Sequence, residues 1–202
     1  MAQTAQTAHH PGMALRRRFS LLVLGTAAML STASQATAAG GRYTFAGGTP
    51  AQRAEVRAAL EASDFEWGRV PARVTFHIGP GQSARALPGH IWLDSNLLNA
   101  GRFSWAIVQH EYAHQVDFFL LDDESRSVLT GALGAAAWCT ETAGLPHAFY
   151  GCERFASTLT WAYWQSPQNA LRPESATDES AAMPPTPFRR LVSRLLAGRP
   201  PS

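Results

Sequence analysis

The chain has 202 residues and a formal charge of +2, enough for one domain with a sizeable core and little beyond it. Its cationic side chains are all arginines, and without Arg16, Arg17 and Arg18 the 17 of them fall to 14 against 15 carboxylates, a net of −1. The basic excess therefore belongs to the first few dozen residues, and the charge of the remainder excludes a nucleic-acid partner as the default reading.

The first segment, residues 1–38, reads as an export signal. Arg16-Arg17-Arg18-Phe19 precedes the short apolar run "SLLVLGTAAML", and small residues follow up to Ala36-Thr37-Ala38. The arginines resemble a twin-arginine signal, with Ser20 where that pattern prefers an apolar side chain, so general and twin-arginine export both stay open. The apolar run is shorter than the ~20 residues of a spanning helix. We therefore expect a secreted or extracytoplasmic protein with no stable membrane insertion after cleavage. In that compartment an even cysteine count favours a bridge, here Cys139–Cys152.

Residues 39–165 carry the signals of one α+β domain. "RYTFAGG" (42–48) alternates as a first strand, and Thr49-Pro50 forms an N-cap and first turn for the helical pattern "AQRAEVRAALEAS". "RVTFHIG" (73–79) is a second strand closed by Gly79-Pro80-Gly81, and "GHIWLDSNLLN" a third that runs into a turn near Asn99. Ser104 is placed to cap a helix reaching about Leu121. "DDESRSVLTGALGAAAW" predicts another helix with acids at its N-terminal end, and "CERFASTLTWAYW" an aromatic-rich one. Residues 166–188, rich in Pro, Ser and Ala, read as a flexible linker, and 189–202 as a short tail helix docking on the domain. No internal repeat is visible, and a monomer is expected.

The chemistry concentrates in "AIVQHEYAHQVDFF", residues 106–119. His110 and His114 stand at i and i+4, one turn apart on one helix face, so two imidazoles can take two sites of a tetrahedral Zn²⁺. Glu111 points off that axis yet stays near the metal, where a general base takes a proton from metal-activated water. Ile107, Val108, Tyr112, Ala113 and Val116 make the helix apolar enough to be buried, and burial of two histidines and a glutamate demands something that satisfies them.

This stretch resembles the zincin metallopeptidases, whose signature is His-Glu-x-x-His. The longer string His110 to Asp117 is similar to the small gluzincins related to the anthrax lethal factor catalytic domain, which carry an aspartate three residues past the second histidine. The resemblance covers this helix and one downstream segment. It implies a zincin-like fold, with a small mixed sheet, an active-site helix and a second ligand-bearing helix. The implied activity is hydrolysis of a protein or peptide substrate bound in extended form.

A gluzincin takes its third ligand from a later helix. Glu153 is the best candidate, 39 residues past His114, with Ala156 and Ser157 one turn along to allow close helix approach. Glu141 lies inside the expected disulfide loop, where a ligand would be poorly held, and Asp117 suits a supporting role more than ligation. Thermolysin-like enzymes place an aspartate four residues after the ligand glutamate, whereas Ser157 stands here. For the group that stabilises the developing oxyanion, Tyr150 is favoured and His147 is the alternative. The segment "ALPGHIWLDSN" stands where the family carries a substrate-pairing edge strand. Within it His90 is read as exposed and Trp92 as core, and His77 as structural. The competing assignment is a non-catalytic exported domain that binds zinc or peptide without turnover, which a closed four-ligand site would favour.

Overall fold

In the computed structural model, residues 41–139 and 144–197 are described. The expected export signal and Glu141 lie outside them. Strand β1 (Tyr43–Gly47) leads through helix α1 (Pro50–Glu61) to β2 (Val74–Gly79), then to the hairpin β3 (Arg85–Leu87) and β4 (His90–Asp94). The sheet order is β1-β2-β4-β3: β1 and β4 flank β2 in parallel, and β3 runs antiparallel to β4 at the edge. The segment expected to be an edge strand is therefore interior over His90–Asp94, and the sheet's edges are β1 and the short β3, which carries too little alternation to register as a strand.

Thr49 caps α1 as expected. Its hydroxyl accepts from Gln52 N while Gln52 Oε1 accepts from Thr49 N, a reciprocal pair that satisfies two helix-end donors. One face of the sheet buries Val74, Phe76, Ile78, Ile91 and Leu93, following the period-two pattern. Against it lie α1, through Val56, Ala59 and Leu60, and helix α3 (Trp105–Leu120), through Val108, Tyr112 and Val116. Tyr112 packs between Trp67 and Phe76. A one-turn helix, α2 (Ser95–Leu98), and a 3₁₀ turn over Gly101–Ser104 lead into α3. Ser104 does not cap it: its hydroxyl donates back to Gly101 O at 2.7 Å, because the preceding turn is itself helical.

On the outer sheet face His90 is exposed. Trp92 is only partly covered, stacked on His77 (4.8 Å between centroids) and under the Arg85 guanidinium (4.4 Å), so it is not a core residue. The pleat of the strand turns its side chain to the face opposite Ile91 and Leu93.

Helix α4 (Asp123–Ala132) ends six residues earlier than its apolar pattern suggests, because Gly134 adopts φ +61° and turns the chain back. Ala137 then bridges Tyr150, and the Cys139–Cys152 disulfide ties this return to the start of α5 (Gly151–Tyr163). α5 packs on α3.

Residues 166–184 differ from the expected flexible linker. Asn169 bonds to Trp164 O and Leu171 N, Asp178 accepts from the Glu174 and Ser175 amides, and a 3₁₀ turn at Glu179–Ala181 lies against α5 with Ser180 buried. Short polar side chains hold this segment by local backbone bonds, which leave no hydrophobic period to read. The tail helix α6 begins earlier than expected, at Pro185, runs to Leu196 and docks on α5 through Phe188, Val192 and Leu196, spaced at i, i+4 and i+8. Every described residue belongs to one compact unit. No described helix is long and apolar enough to cross a membrane. The architecture is α+β, with a four-stranded mixed sheet and six α-helices among the described residues.

Candidate metal centre

The middle of α3 is buried all round from Val108 to Asp117, so its polar side chains need partners inside the protein. Gln109 donates to Ala59 O, fixing α3 on α1. Gln115 accepts from Gly89 N (2.8 Å) and donates to Leu87 O (3.0 Å), fastening the β3–β4 turn to the same helix. Edge strand and helix are thereby held in register.

His110 and His114 project from α3 towards Glu153 in the first turn of α5. His110 Nε2 lies 3.1 Å from Glu153 Oε2, His114 Nε2 lies 3.4 Å from that oxygen, and the two Nε2 atoms are 3.2 Å apart. Two imidazole nitrogens have no reason to approach so closely in the dark of a protein core unless a proton or a cation lies between them and the carboxylate. The face of a tetrahedron around Zn²⁺ with bonds near 2.0–2.1 Å has edges of about 3.3 Å. The three donor separations match it, so the residues present fit a zinc ion, and among the described residues the group around the two histidines contains these three side chains.

Without a cation the group behaves as an ion pair. Burial alone would raise the Glu153 carboxyl, but hydrogen bonds and charge from His110 and His114 outweigh it and hold the group far below the ordinary carboxylate range. Burial alone would lower His114, and Glu153 reverses that shift and raises it. The two sulfurs of the disulfide pack against the other Glu153 oxygen, Oε1, at 3.5 and 3.6 Å, so that Oε2 is the one presented to the imidazoles.

The three donors and Glu111 open on one cleft of ≈ 400 Å³. Its walls are Arg85 and Ala86 of β3 on one side, and Trp138, His147 and the disulfide on the other. Burial raises the Glu111 carboxyl above its ordinary value, partly opposed by the positive charge of His110 and His114. A raised carboxyl is a stronger base.

Asp117 is not a donor to this group. Its Oδ1 accepts from Arg126 Nε (2.8 Å) and its Oδ2 from Trp138 Nε1 (3.2 Å), which draws α4 and the cleft wall onto α3. Asp117 is 3% exposed, so Arg126→Met strips a buried carboxylate of its counter-charge. A loss of about 3 kcal/mol in urea denaturation is expected, with stoichiometric zinc uptake retained.

Tyr150, favoured in the sequence reading, and His147, its alternative, are placed differently with respect to the cleft. The Tyr150 hydroxyl accepts from Leu145 N (3.1 Å) and does not line the cleft. It is occupied in closing the loop that precedes α5. His147 does line it, with Nε2 3.1 Å from Glu153 Oε2 and Nδ1 2.6 Å from Glu179 Oε1. Burial is the largest single influence on His147 and lowers it, but the Glu179 hydrogen bond and the charges of Glu153 and Glu179 together prevail and raise it.

Three further participants carried no usable signal in the sequence: Gln115, Ser157 as a bonding group, and Glu179. Ser157 Oγ lies 3.2 Å from His110 Nδ1 and donates to Glu179 Oε2 at 2.8 Å. The serine noted for its small size and for standing where thermolysin-like enzymes place an aspartate thus touches the ring of a metal-ligating candidate. Comparison with known proteins returns no matching family model, no similar curated protein and no similar solved structure.

Proposed function

We propose that this chain is an exported zinc-dependent peptidase of the zincin type, in which His110, His114 and Glu153 hold the metal and Glu111 is the general base. The observation that carries the reading is the convergence of His110 Nε2, His114 Nε2 and Glu153 Oε2 within 3.1–3.4 Å at the floor of a cleft that Glu111 also lines. Three protein donors at the floor of a cleft would leave a bound zinc open to solvent and substrate, as catalytic rather than structural sites do.

Bound zinc would supply Lewis acidity, acidifying water and polarising the scissile carbonyl. The chain's own groups do the rest. The Glu111 carboxylate takes the proton of the attacking water and passes it to the departing amide nitrogen. The His147 ring, with Nδ1–H donated to Glu179, presents Nε2 at the cleft beside Glu153 Oε2, where an Nε2 proton can reach the developing oxyanion. The free edge of β3 offers backbone groups to an extended peptide, and Gln115 holds that edge in place. The disulfide suits an exported protein.

The test is zinc content and cleavage of a peptide library by the zinc-loaded protein and by the chelated one. Stoichiometric zinc with no cleavage would favour the binding-domain alternative. Within the active protein, His147→Ala is expected to lower kcat by about 10²–10³-fold, and Tyr150→Phe to leave kcat within about twofold, since its hydroxyl serves only the Leu145 amide. The opposite ranking would return the oxyanion role to Tyr150.

A further inference from the structure

Two imidazoles at this centre are held from behind by one carboxylate that belongs to neither ligand helix. Glu179 Oε1 meets His147 Nδ1 at 2.6 Å, and Glu179 Oε2 receives the Ser157 hydroxyl at 2.8 Å, which in turn contacts His110 Nδ1 at 3.2 Å. We infer that Glu179 is the positioning residue of the whole centre, setting the ring of His110 through Ser157 and the ring of His147 directly. The inference rests on the proposed peptidase reading for its kinetic arm and on metal binding alone for the other.

Proton direction carries the argument. An ionised carboxylate only accepts, so the Ser157 hydroxyl must donate to Glu179. Its lone pairs are then what His110 Nδ1 meets, so Nδ1 carries the ring proton and Nε2 is left with the lone pair a metal needs. Were Glu179 absent, the same hydroxyl could donate to Nδ1 instead and favour the tautomer with hydrogen on Nε2, which cannot ligate. The second oxygen acts likewise on His147: Nδ1–H points to Glu179, and Nε2 is aimed at the cleft.

Glu179 is held firmly enough for this. Its side chain is 20% exposed, its backbone carbonyl accepts from Thr158 Oγ1 at 3.2 Å, and the next residue, Ser180, is buried. Successive α5 residues, Ser157 and Thr158, therefore grip the carboxylate and the backbone of the same residue. A surface ion pair made by a loose segment would show no such double attachment. The aspartate that thermolysin-like enzymes keep on the ligand helix is missing here, and a residue brought back from 22 positions downstream of Ser157 does the orienting through that serine.

The experiment uses the full chain and three variants, Glu179→Gln, Ser157→Ala and His147→Ala, with zinc dissociation constants measured by competition with a chromogenic chelator and kcat measured at saturating zinc. Circular dichroism and Tm establish folding. Glu179→Gln is expected to weaken zinc binding by about 10–100-fold and also to lower kcat. Ser157→Ala should reproduce the affinity loss, and combining it with Glu179→Gln should add little, because both remove one relay. His147→Ala should reproduce the kcat loss with zinc affinity unchanged within about threefold. Native-like Glu179→Gln protein with zinc affinity within threefold of wild type would overturn the inference, as would fully additive losses with Ser157→Ala. If Glu179→Gln does not fold, Glu179→Asp, which shortens the reach to both partners, takes its place under the same criteria. A wild type that binds zinc and cleaves nothing defeats the peptidase reading alone, since the affinity arm still decides the role of Glu179.

Discussion

Glu111→Gln is expected to lower kcat by about 10²–10⁴-fold, the usual contribution of a general base, while zinc content stays at that of wild type. Glu111 is 6% exposed and borders the cleft, but it is outside the three-donor group, so an isosteric amide should leave His110, His114 and Glu153 where they are. What the amide removes is the proton acceptor. Burial raises the Glu111 carboxyl and so strengthens it as a base, and a glutamine has no such capacity. KM should change far less than kcat, because the lost interaction belongs to the transition state. Cleavage by this variant within about threefold of wild type would mean that some other group takes the proton. Loss of zinc in parallel would mean that Glu111 is a ligand rather than a base.

Zinc itself should be the largest single contributor to stability that can be added or withdrawn. At a free concentration 1,000 times Kd, a ligand specific to the folded state adds about 4 kcal/mol. In a chain of this size that corresponds to a rise in Tm of roughly 8–16 °C. Chelation should remove the rise, and His114→Ala should abolish it at any zinc concentration, leaving only two donors. The metal-free protein should nevertheless fold, because Glu153 and the histidines satisfy one another.

The pH dependence of the two forms should have opposite signs. In the metal-free protein His114 and Glu111 are both raised above their ordinary values of 6.5 and 4.5. A raised folded pKa gives stability that is present below the unfolded value and lost as pH climbs through the folded one. Glu153 is lowered, so its contribution is present above 4.5 and lost only as pH falls below it. Chelated protein should therefore lose stability from mildly acidic towards neutral and alkaline pH. The increment from zinc should grow over the same interval, since protons compete for the imidazoles. Urea midpoints taken across pH 5–8 with zinc or chelator check both slopes. Chelated protein that gains stability with pH would contradict the buried ion pair described here.

How much of this was legible beforehand depends on whether a residue speaks for itself or only through its neighbours. His110, His114 and Glu111 announce themselves by spacing on one helix, since i and i+4 share a face whatever the fold around them. Thr49-Pro50 and the alternating strands at Tyr43–Gly47 and Val74–Gly79 are local in the same way. The family resemblance favours Tyr150, a tyrosine three residues before Glu153, over His147, but in a loop linear distance says nothing about direction. The loop turns the phenol to Leu145 N and the imidazole into the cleft. Residues 166–184 were misread for a related cause: composition reports whether a segment can build its own core, not whether it can be tied to an existing one by hydrogen bonds.

The amino-acid sequence alone determined the helix that carries the histidine pair, the acid beside it, the α+β class, and Cys139 with Cys152 as the one pair a disulfide could join. Each follows from short-range periodicity, or from there being two cysteines and no others. Tertiary structure brought Glu153, chosen from the sequence by resemblance, to both imidazoles, and it alone decided that β3 is the edge beside the cleft, that Asp117 answers Arg126, and that Glu179 stands behind two rings. Those facts depend on how α3, α5 and the 166–184 segment pack against one another. Packing of that kind is set by side-chain shape and buried polar pairing over long sequence separations, which no local pattern encodes.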